Sequence, residues 1–394
     1  MAIKGCILPW VHIHGDLKGR YRACCFSDQA DKDPYILGSS VQPLLEVWNG
    51  DAYINLRKQF LEDKIPEQCK KACYDKESLG VEQNPRHNAN NKWASYSHLQ
   101  NSLTPPPPVF IDIRFGNICN FRCRTCGPMA STSWIKESKN LFKNKYARLL
   151  DNWTNNEELW KALEEIYPTI DTIYFAGGEP FVLDGHYKLL EFLISKNKTD
   201  ITINYNTNLS ILKYKNYDLP SLWEKFKIVN LWVSCDGYGQ VAEYIRKELE
   251  WEQFETNVDK VRPYIRTISS VIYTMSIYSM TDLILWANSR KITVFGTTLV
   301  NPDYLSCQIL PKEEKHKILI HYRNFLNTYR EDLSTDQINN ILDWLRFLKG
   351  EVNNREELEI KFKKVTSTLD RNRNENFTYT VPELADWYES IKIS

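Results

Sequence analysis

Charge of one sign is missing from this chain: 50 lysines and arginines are balanced by 50 aspartates and glutamates. A net charge of zero disfavours a generic nucleic-acid or membrane-surface binder, which attaches through excess positive charge. Glycine is scarce, at 15 of 394 residues, which argues against a linker-rich or low-complexity chain. No apolar run approaches the roughly 18 residues of a membrane span. No secretory signal is expected, because Pro9, His12, His14 and Asp16 interrupt the N-terminal apolar stretch and no small-residue cleavage site follows. The expected address is cytoplasmic, with neither a membrane nor a nucleic acid as partner. In a reducing compartment the ten cysteines are expected to be metal ligands, not disulfides.

What is present is a large core. Hydrophobic residues make up 42% of the chain, and it holds 12 Trp, 22 Tyr and 16 Phe. At roughly 150 residues per domain, the length implies two domains or one with an appendage. The cysteines fall into two clusters and two singles. Cys6, Cys24, Cys25, Cys69 and Cys73 form the first, Cys119, Cys123 and Cys126 the second, and Cys235 and Cys307 stand alone. Between the clusters lies Thr104-Pro105-Pro106-Pro107-Pro108, a run that favours extended polyproline II and reads as a boundary. The expected division is 1–103, a small metal-stapled module; 104–302, an alternating α/β domain; and 303–394, mostly helical.

In the first part, alternation around Val11 and Ile13 and around Tyr21 and Ala23 predicts a hairpin, turning between Gly15 and Gly19. A helix is expected over 51–62, where Tyr53, Leu56 and Phe60 share a face, with Pro66 stopping it. The second part predicts strands at 109–115, 172–176, 201–206, 229–235, 268–277 and 292–300. Helical patterns include 145–166, 184–196 and 251–262. Repeated β-α units imply a parallel sheet with right-handed crossovers, here a partial (β/α)6 barrel, with ligands at the carboxyl ends of its strands. Further helices are expected near 311–328, 335–349 and 353–370.

The chemistry begins after the first of those strands. Cys119, Cys123 and Cys126 form a C-x3-C-x2-C triplet, and thiolates suit zinc or iron–sulfur clusters. Three ligands would leave one iron of a four-iron cluster open to a chelator; the alternative is zinc borrowing a fourth ligand. After the second strand stands Gly177-Gly178-Glu179-Pro180, whose glycines permit close approach and whose Glu179 could accept from an ammonium. Asn206-Thr207-Asn208 ends the third, and Ser234-Cys235-Asp236-Gly237 the fourth, with Arg246 expected on the helix beyond. Alone, each could cap a helix or make a turn. Together they set polar groups on successive strand ends, on the face of the cysteine loop.

This constellation resembles the radical S-adenosylmethionine (SAM) superfamily over about residues 109–302. The resemblance implies a [4Fe–4S] cluster on Cys119, Cys123 and Cys126, with SAM chelating the open iron through its methionine amino and carboxylate groups. Glu179 matches the position that meets the SAM amino group, beside Gly177 and Gly178. Ser234 and Asp236 match ribose or aminocarboxylate contacts, Asn208 belongs to the third strand's contacts, and Arg246 is expected to pair with the carboxylate. Thr125 replaces the aromatic residue usual before the third cysteine, and Leu209 the glycine usual in Thr-Asn-Gly.

The N-terminal pattern resembles the auxiliary-cluster modules called SPASM and twitch. Cys6-Ile7-Leu8-Pro9-Trp10, Gly19-x4-Cys24-Cys25, Val47-Trp48-Asn49, Leu56-Arg57 and Pro66-x2-Cys69-x3-Cys73 carry it. It implies a second [4Fe–4S] cluster on Cys6, Cys24, Cys69 and Cys73, with Cys25 as the spare or the substitute. A four-thiolate zinc staple is the alternative. Such modules commonly follow the barrel; this one precedes it. His12 and His14 are expected to be packing or solvated residues, not ligands.

The implied activity is reductive cleavage of SAM to methionine and a 5′-deoxyadenosyl radical, which abstracts a hydrogen atom from a substrate. The expected partners are a peptide or protein substrate and an electron donor such as flavodoxin or ferredoxin. A small-molecule substrate and a non-catalytic metal-binding scaffold are the other readings. Each lone cysteine is most simply a buried hydrophobe. Of the two, Cys307 is the better candidate for a substrate-facing thiol that returns a hydrogen atom.

Overall fold

The computed structural model describes residues 3–27, 35–78, 84–144, 147–150 and 153–393. The chain is mixed α/β, with a nine-stranded, mostly parallel sheet. It forms two compact units that are not consecutive in sequence: 1–118 with 149–205 and 213–230, and 119–148 with 206–212 and 231–394.

In the first unit the strands are β1 (His12–Gly15), β2 (Arg20–Arg22), β3 (Gly38–Ser39) and β4 (Phe110–Ile113). In the second, β5 (Arg122–Cys123) follows. The first unit continues with β6 (Thr172–Phe175), β7 (Thr202–Thr207), whose last two residues belong to the second unit, and the small ribbon β8 (Lys213–Tyr214) and β9 (Tyr217–Asp218). Strand β10 (Ile228–Ser234) begins in the first unit and ends in the second, which also holds β11 (Arg246–Lys247), β12 (Ile265–Ile272) and β13 (Thr293–Thr298). The first unit has the order β7-β6-β4-β1-β2-β3, and β10-β12-β13 are neighbours in the second.

The predicted hairpin is present: β1 and β2 pair antiparallel through His14–Arg22 and Gly15–Tyr21. Asp16 holds its turn, accepting from the Lys18 and Arg20 amides at 2.8 and 3.1 Å, and Gly19 takes the positive φ of 72°. The hairpin is no detached module. Strand β1 runs parallel to β4, with His12 opposite Phe110 and Gly15 opposite Ile113. The helix Asp51–Leu61 buries Tyr53, Leu56 and Phe60 as predicted. Pro66 does not stop it; Asp63, in the left-handed region at φ 57°, ends the turn, and Pro66 caps the next one. Arg57 ties the module together. It is wholly buried, donates to the carbonyls of Pro9, Trp48 and Leu103 at 2.9, 2.8 and 2.7 Å, and lies 4.5 Å from the Trp48 ring.

The six predicted α/β strands are all found, and one is shifted. The expected 268–277 is Ile265–Ile272, registered on β13 from Thr267–Thr293 to Ile272–Thr298. The apolar residues that follow belong to a turn: the Tyr273 amide donates to Ser276 Oγ, which itself donates to the Val271 carbonyl, and this bends the chain off the sheet. The expected helix 145–166 falls partly outside the described residues. Its described helical part is Glu157–Ile166, started by Asn156, which accepts from the Glu158 amide at 3.0 Å. The C-terminal helices are Lys312–Tyr329, Thr335–Leu348 and Arg355–Arg373. Among the described residues no helix is long and apolar enough to cross a membrane.

Candidate functional site

The cysteine triplet lies in the second unit. Cys123 is buried, Cys119 half-buried and Cys126 exposed. Local hydrogen bonds shape the loop: Ser133 Oγ donates to the Cys119 carbonyl at 2.7 Å, Ser131 Oγ to that of Phe121 at 2.5 Å, and Trp134 Nε1 to that of Cys123 at 2.9 Å. The Phe121 amide points at Cys119 Sγ, 3.4 Å away. Cys123 and Cys126 interact directly, and the hydrogen bond between their thiols holds Cys126 below and Cys123 well above the usual thiol range. Cys119 also acts electrostatically on Cys126, so the three thiols form one group. Three soft donors on one short loop are a donor set that fits a four-iron cluster with one open corner.

Arg246 corrects its expectation in one respect. It lies on β11, not on a helix, opposite Cys123 of β5. Its guanidinium is taken by Asp236, at 2.9 Å, and its Nη1 stands 3.9 Å from Cys123 Sγ. Burial alone would lower its pKa; the Asp236 carboxylate outweighs burial and raises it. Asp236, fully buried, also accepts from the Val271 amide at 2.8 Å through Oδ1. It is thus an anchor between β12 and the cysteine loop. Arg246 Nε has no hydrogen-bond partner, which leaves one buried donor for a ligand.

Asn208 donates to Asn120 Oδ1 at 3.0 Å, and Asn120 donates to Ser210 Oγ at 2.8 Å, so the segment after β7 is bonded to the residue following Cys119. Asn120, Asn208 and Ser210 line a concavity of about 180 Å³ with Phe121, Leu249 and Phe254. Ser234, half-buried, ends β10. Cys235 is fully buried and donates to the Gly237 carbonyl at 3.2 Å. Cys307 is fully buried in a short turn ahead of the helix Lys312–Tyr329, and burial pushes its thiol up to about 12. That is the placement of a packed core thiol.

In the first unit, Gly177 and Gly178 follow β6 with φ of 80° and 54°. A side chain on Gly178 would overlap the Ile118 carbonyl oxygen, to which the Glu179 amide donates at 2.9 Å. The glycine is what lets this turn approach the residue just before Cys119. Glu179 is buried, and its Oε1 accepts from the Phe181 amide at 3.1 Å.

The N-terminal cysteines are not all placed alike. Cys6, Cys24, Cys69 and Cys73 line one concavity, together with Leu8, Phe60, Tyr74 and Arg86. Cys25 does not line it and interacts with Asp112 of β4. The Cys24 turn is closed by Ser27, whose Oγ donates to the Cys24 carbonyl at 2.8 Å. Cys69 precedes and Cys73 lies within a π-helical turn, Lys70–Tyr74, a local widening frequent at functional sites. Burial pushes Cys6 and Cys24 up to about 12, so metal must displace their protons to bind. Four thiols around one concavity are a donor set that suits a cuboidal cluster. Among the described residues no group of three or more His, Cys, Asp or Glu side chains closes to the spacing of a single metal ion.

His12 and His14 are packed, not solvated. His12 lies with its ring 4.5 Å from that of Phe110, and burial lowers it to about 4. His14 Nδ1 is 3.0 Å from Asp112 Oδ2. Sequence reasoning passed over Asp112, Asn120, Arg124 and Asp370. Arg124 lies inside the triplet, but its partner Asp370 is 246 residues away, and nothing local announces the pair.

Comparison with known proteins adds the following. The family model for the radical SAM superfamily matches residues 113–285, and that for SPASM, an iron–sulfur cluster-binding domain, matches residues 6–74. No curated protein sequence matches the chain. Among solved structures, the chain is similar to Streptococcus suis SuiB bound to the precursor peptide SuiA, at 13% identity and a TM-score of 0.39, covering 74% of this chain and 63% of that one. SuiB bound to S-adenosylmethionine is similar at 13% identity and a TM-score of 0.38, with 72% and 62% covered. The chain thus spans less than two thirds of the SuiB chain.

Proposed function

We propose that this chain, which belongs to the radical SAM superfamily and carries an N-terminal SPASM iron–sulfur domain, is an enzyme that reductively cleaves SAM and abstracts a hydrogen atom from a peptide or protein. The observation that carries the reading is the cysteine loop, whose three thiols act on one another beside the buried Asp236–Arg246 pair. Cys119, Cys123 and Cys126 would hold a [4Fe–4S] cluster, and Cys6, Cys24, Cys69 and Cys73 a second. Held there, the first would supply the one electron that reductive cleavage of SAM to methionine and a 5′-deoxyadenosyl radical requires.

The chain's own residues have separate tasks. Asp236 fixes Arg246, which sets a positive charge against the thiol of Cys123. Asn120 and Asn208 tie the loop to the end of β7. Glu179, buried, is the acceptor for the SAM ammonium group. The concavity beside the loop supports a peptide substrate: its amide and hydroxyl side chains suit a peptide backbone, and Phe121, Leu249 and Phe254 suit apolar side chains. A one-electron donor of the flavodoxin or ferredoxin type completes the reaction.

Anaerobic reconstitution tests the reading. The protein should hold about eight irons, as two cuboidal clusters require, and form 5′-deoxyadenosine from SAM under reducing conditions. Loaded protein that leaves SAM intact would make it a binding scaffold. A peptide substrate should raise the rate of 5′-deoxyadenosine formation above the uncoupled rate; stimulation by small molecules alone would move the substrate class.

Glu179→Gln isolates one contact. The amide oxygen can still accept from Phe181, so the turn survives, while the charge is lost. SAM affinity should fall roughly ten- to a hundredfold, the worth of one charge-assisted hydrogen bond, with iron content unchanged. Equilibrium binding of SAM to the reconstituted protein measures it, and unchanged affinity would reduce Glu179 to a capping residue.

A further inference from the structure

We propose that the last turn of the C-terminal helix Arg355–Arg373 is the positioning device of the cysteine loop, acting through Arg124. This rests on the reading that the triplet holds a cluster. Arg124 stands between the second and third cysteines, and its side chain is buried. Its Nη2 contacts Asp370 at 2.5 Å and Glu375 at 2.6 Å, and its Nε donates to the Tyr244 carbonyl at 3.0 Å. The guanidinium lies 3.7 Å from the centre of the Tyr244 ring, and Tyr244 Oη donates to Asp370 at 2.8 Å.

The helix end is shaped for this grip. Asn374, in the left-handed region at φ 54°, reverses the chain so that Glu375 turns back to Arg124 and the Phe377 amide donates to Asp370 at 2.9 Å. A second grip lies beside the first. Glu137 receives Arg373 at 2.7 Å, Asn372 at 2.9 Å and Arg122, which precedes Cys123, at 3.1 Å. The backbone completes the fixation: the Arg124 amide donates to the Ile245 carbonyl at 2.8 Å, and β5 pairs with β11. Both arginines of the loop are therefore held by carboxylates, two of which, Asp370 and Glu375, come from the chain's last quarter.

Stability alone does not account for the arrangement. Burying an ion pair costs desolvation that its attraction often only offsets, so apolar residues of similar volume would hold the helix in place as well. What charged, directional contacts add is geometry. A planar guanidinium with two carboxylates and a carbonyl admits one orientation of the backbone that carries it. That backbone is the link between Cys123 and Cys126.

The test uses the full chain with the N-terminal cysteines intact. Arg124→Gln, Asp370→Asn and Arg124→Lys are prepared. The Arg124→Gln/Asp370→Asn double variant is added because an unpaired buried charge can itself unfold a protein. Folding is followed by circular dichroism, hydrogen exchange of residues 119–126 is measured on metal-free protein, and iron and sulfide are measured after reconstitution. The two single charge-removing variants and the double variant should fold, exchange the Arg124 and Cys126 amides at least about tenfold faster, and hold about four irons where wild type holds about eight. Arg124→Lys should recover part of both signals. Wild-type exchange with full iron in the folded variants would overturn the proposal. The parent reading fails separately: it falls if removing all three triplet cysteines costs no iron, whatever the clamp variants do.

Discussion

Replacement of Cys119, Cys123 and Cys126 together by alanine should abolish SAM cleavage and leave about four irons per chain, the content of one cuboidal cluster. The loss should be complete, because these residues are the thiols of their loop. The retained iron should follow from separate construction. Cys6, Cys24, Cys69 and Cys73 line their own concavity within the first unit, and the triplet opens the second. The loop should not collapse in the variant, since Ser131, Ser133 and Trp134 hold it through backbone carbonyls. Anaerobic assay of 5′-deoxyadenosine with iron and sulfide analysis gives the answer. Undiminished cleavage would remove the triplet from the chemistry, and stoichiometric zinc in place of the remaining iron would make the N-terminal module a zinc staple.

The second large effect separates two adjacent cysteines. Cys24→Ser should lower the iron from about eight to about four per chain, and Cys25→Ser should leave it whole. Cys24 faces the other three thiols, and its titration responds to Cys6 and Cys73. Cys25 responds first, after burial, to the Asp112 carboxylate on the neighbouring strand. The chain turns at this pair, with the Ser27 amide donating to the Cys24 carbonyl at 3.2 Å, so one cysteine faces the concavity while the other meets the sheet. Iron loss confined to Cys25→Ser would exchange their roles.

The contrast between these two cases shows what a sequence carries. The triplet and the Gly-Gly-Glu-Pro turn are local patterns, and the alternation of strands and helices is local too, so the α/β series was legible. Cys24 and Cys25 were not separable, because spacing cannot tell which neighbour faces a pocket. The fifth strand was displaced because its apolar run continues through Tyr273, Met275 and Ile277, which are buried in a turn instead of the sheet. Arg246 looked like a free cation waiting for a carboxylate; only the fold brings Asp236 to it. The Arg124 clamp was out of reach for the same reason, since charge pairs far apart in sequence leave no periodic trace.

The pairing of β1 with β4 has a consequence for solubility. Without it, β4 would present a row of unpaired amides and carbonyls on the side opposite β6, an open template for strand addition by another molecule. The hairpin supplies a parallel neighbour there, and the rim beyond it tapers through β2, of three residues, to β3, of two. So short a rim gives an incoming strand little to bind. Truncation that removes residues 1–15 would therefore do more than delete a cysteine ligand: it would uncover Phe110 to Ile113 and turn the parent sheet into an aggregation nucleus.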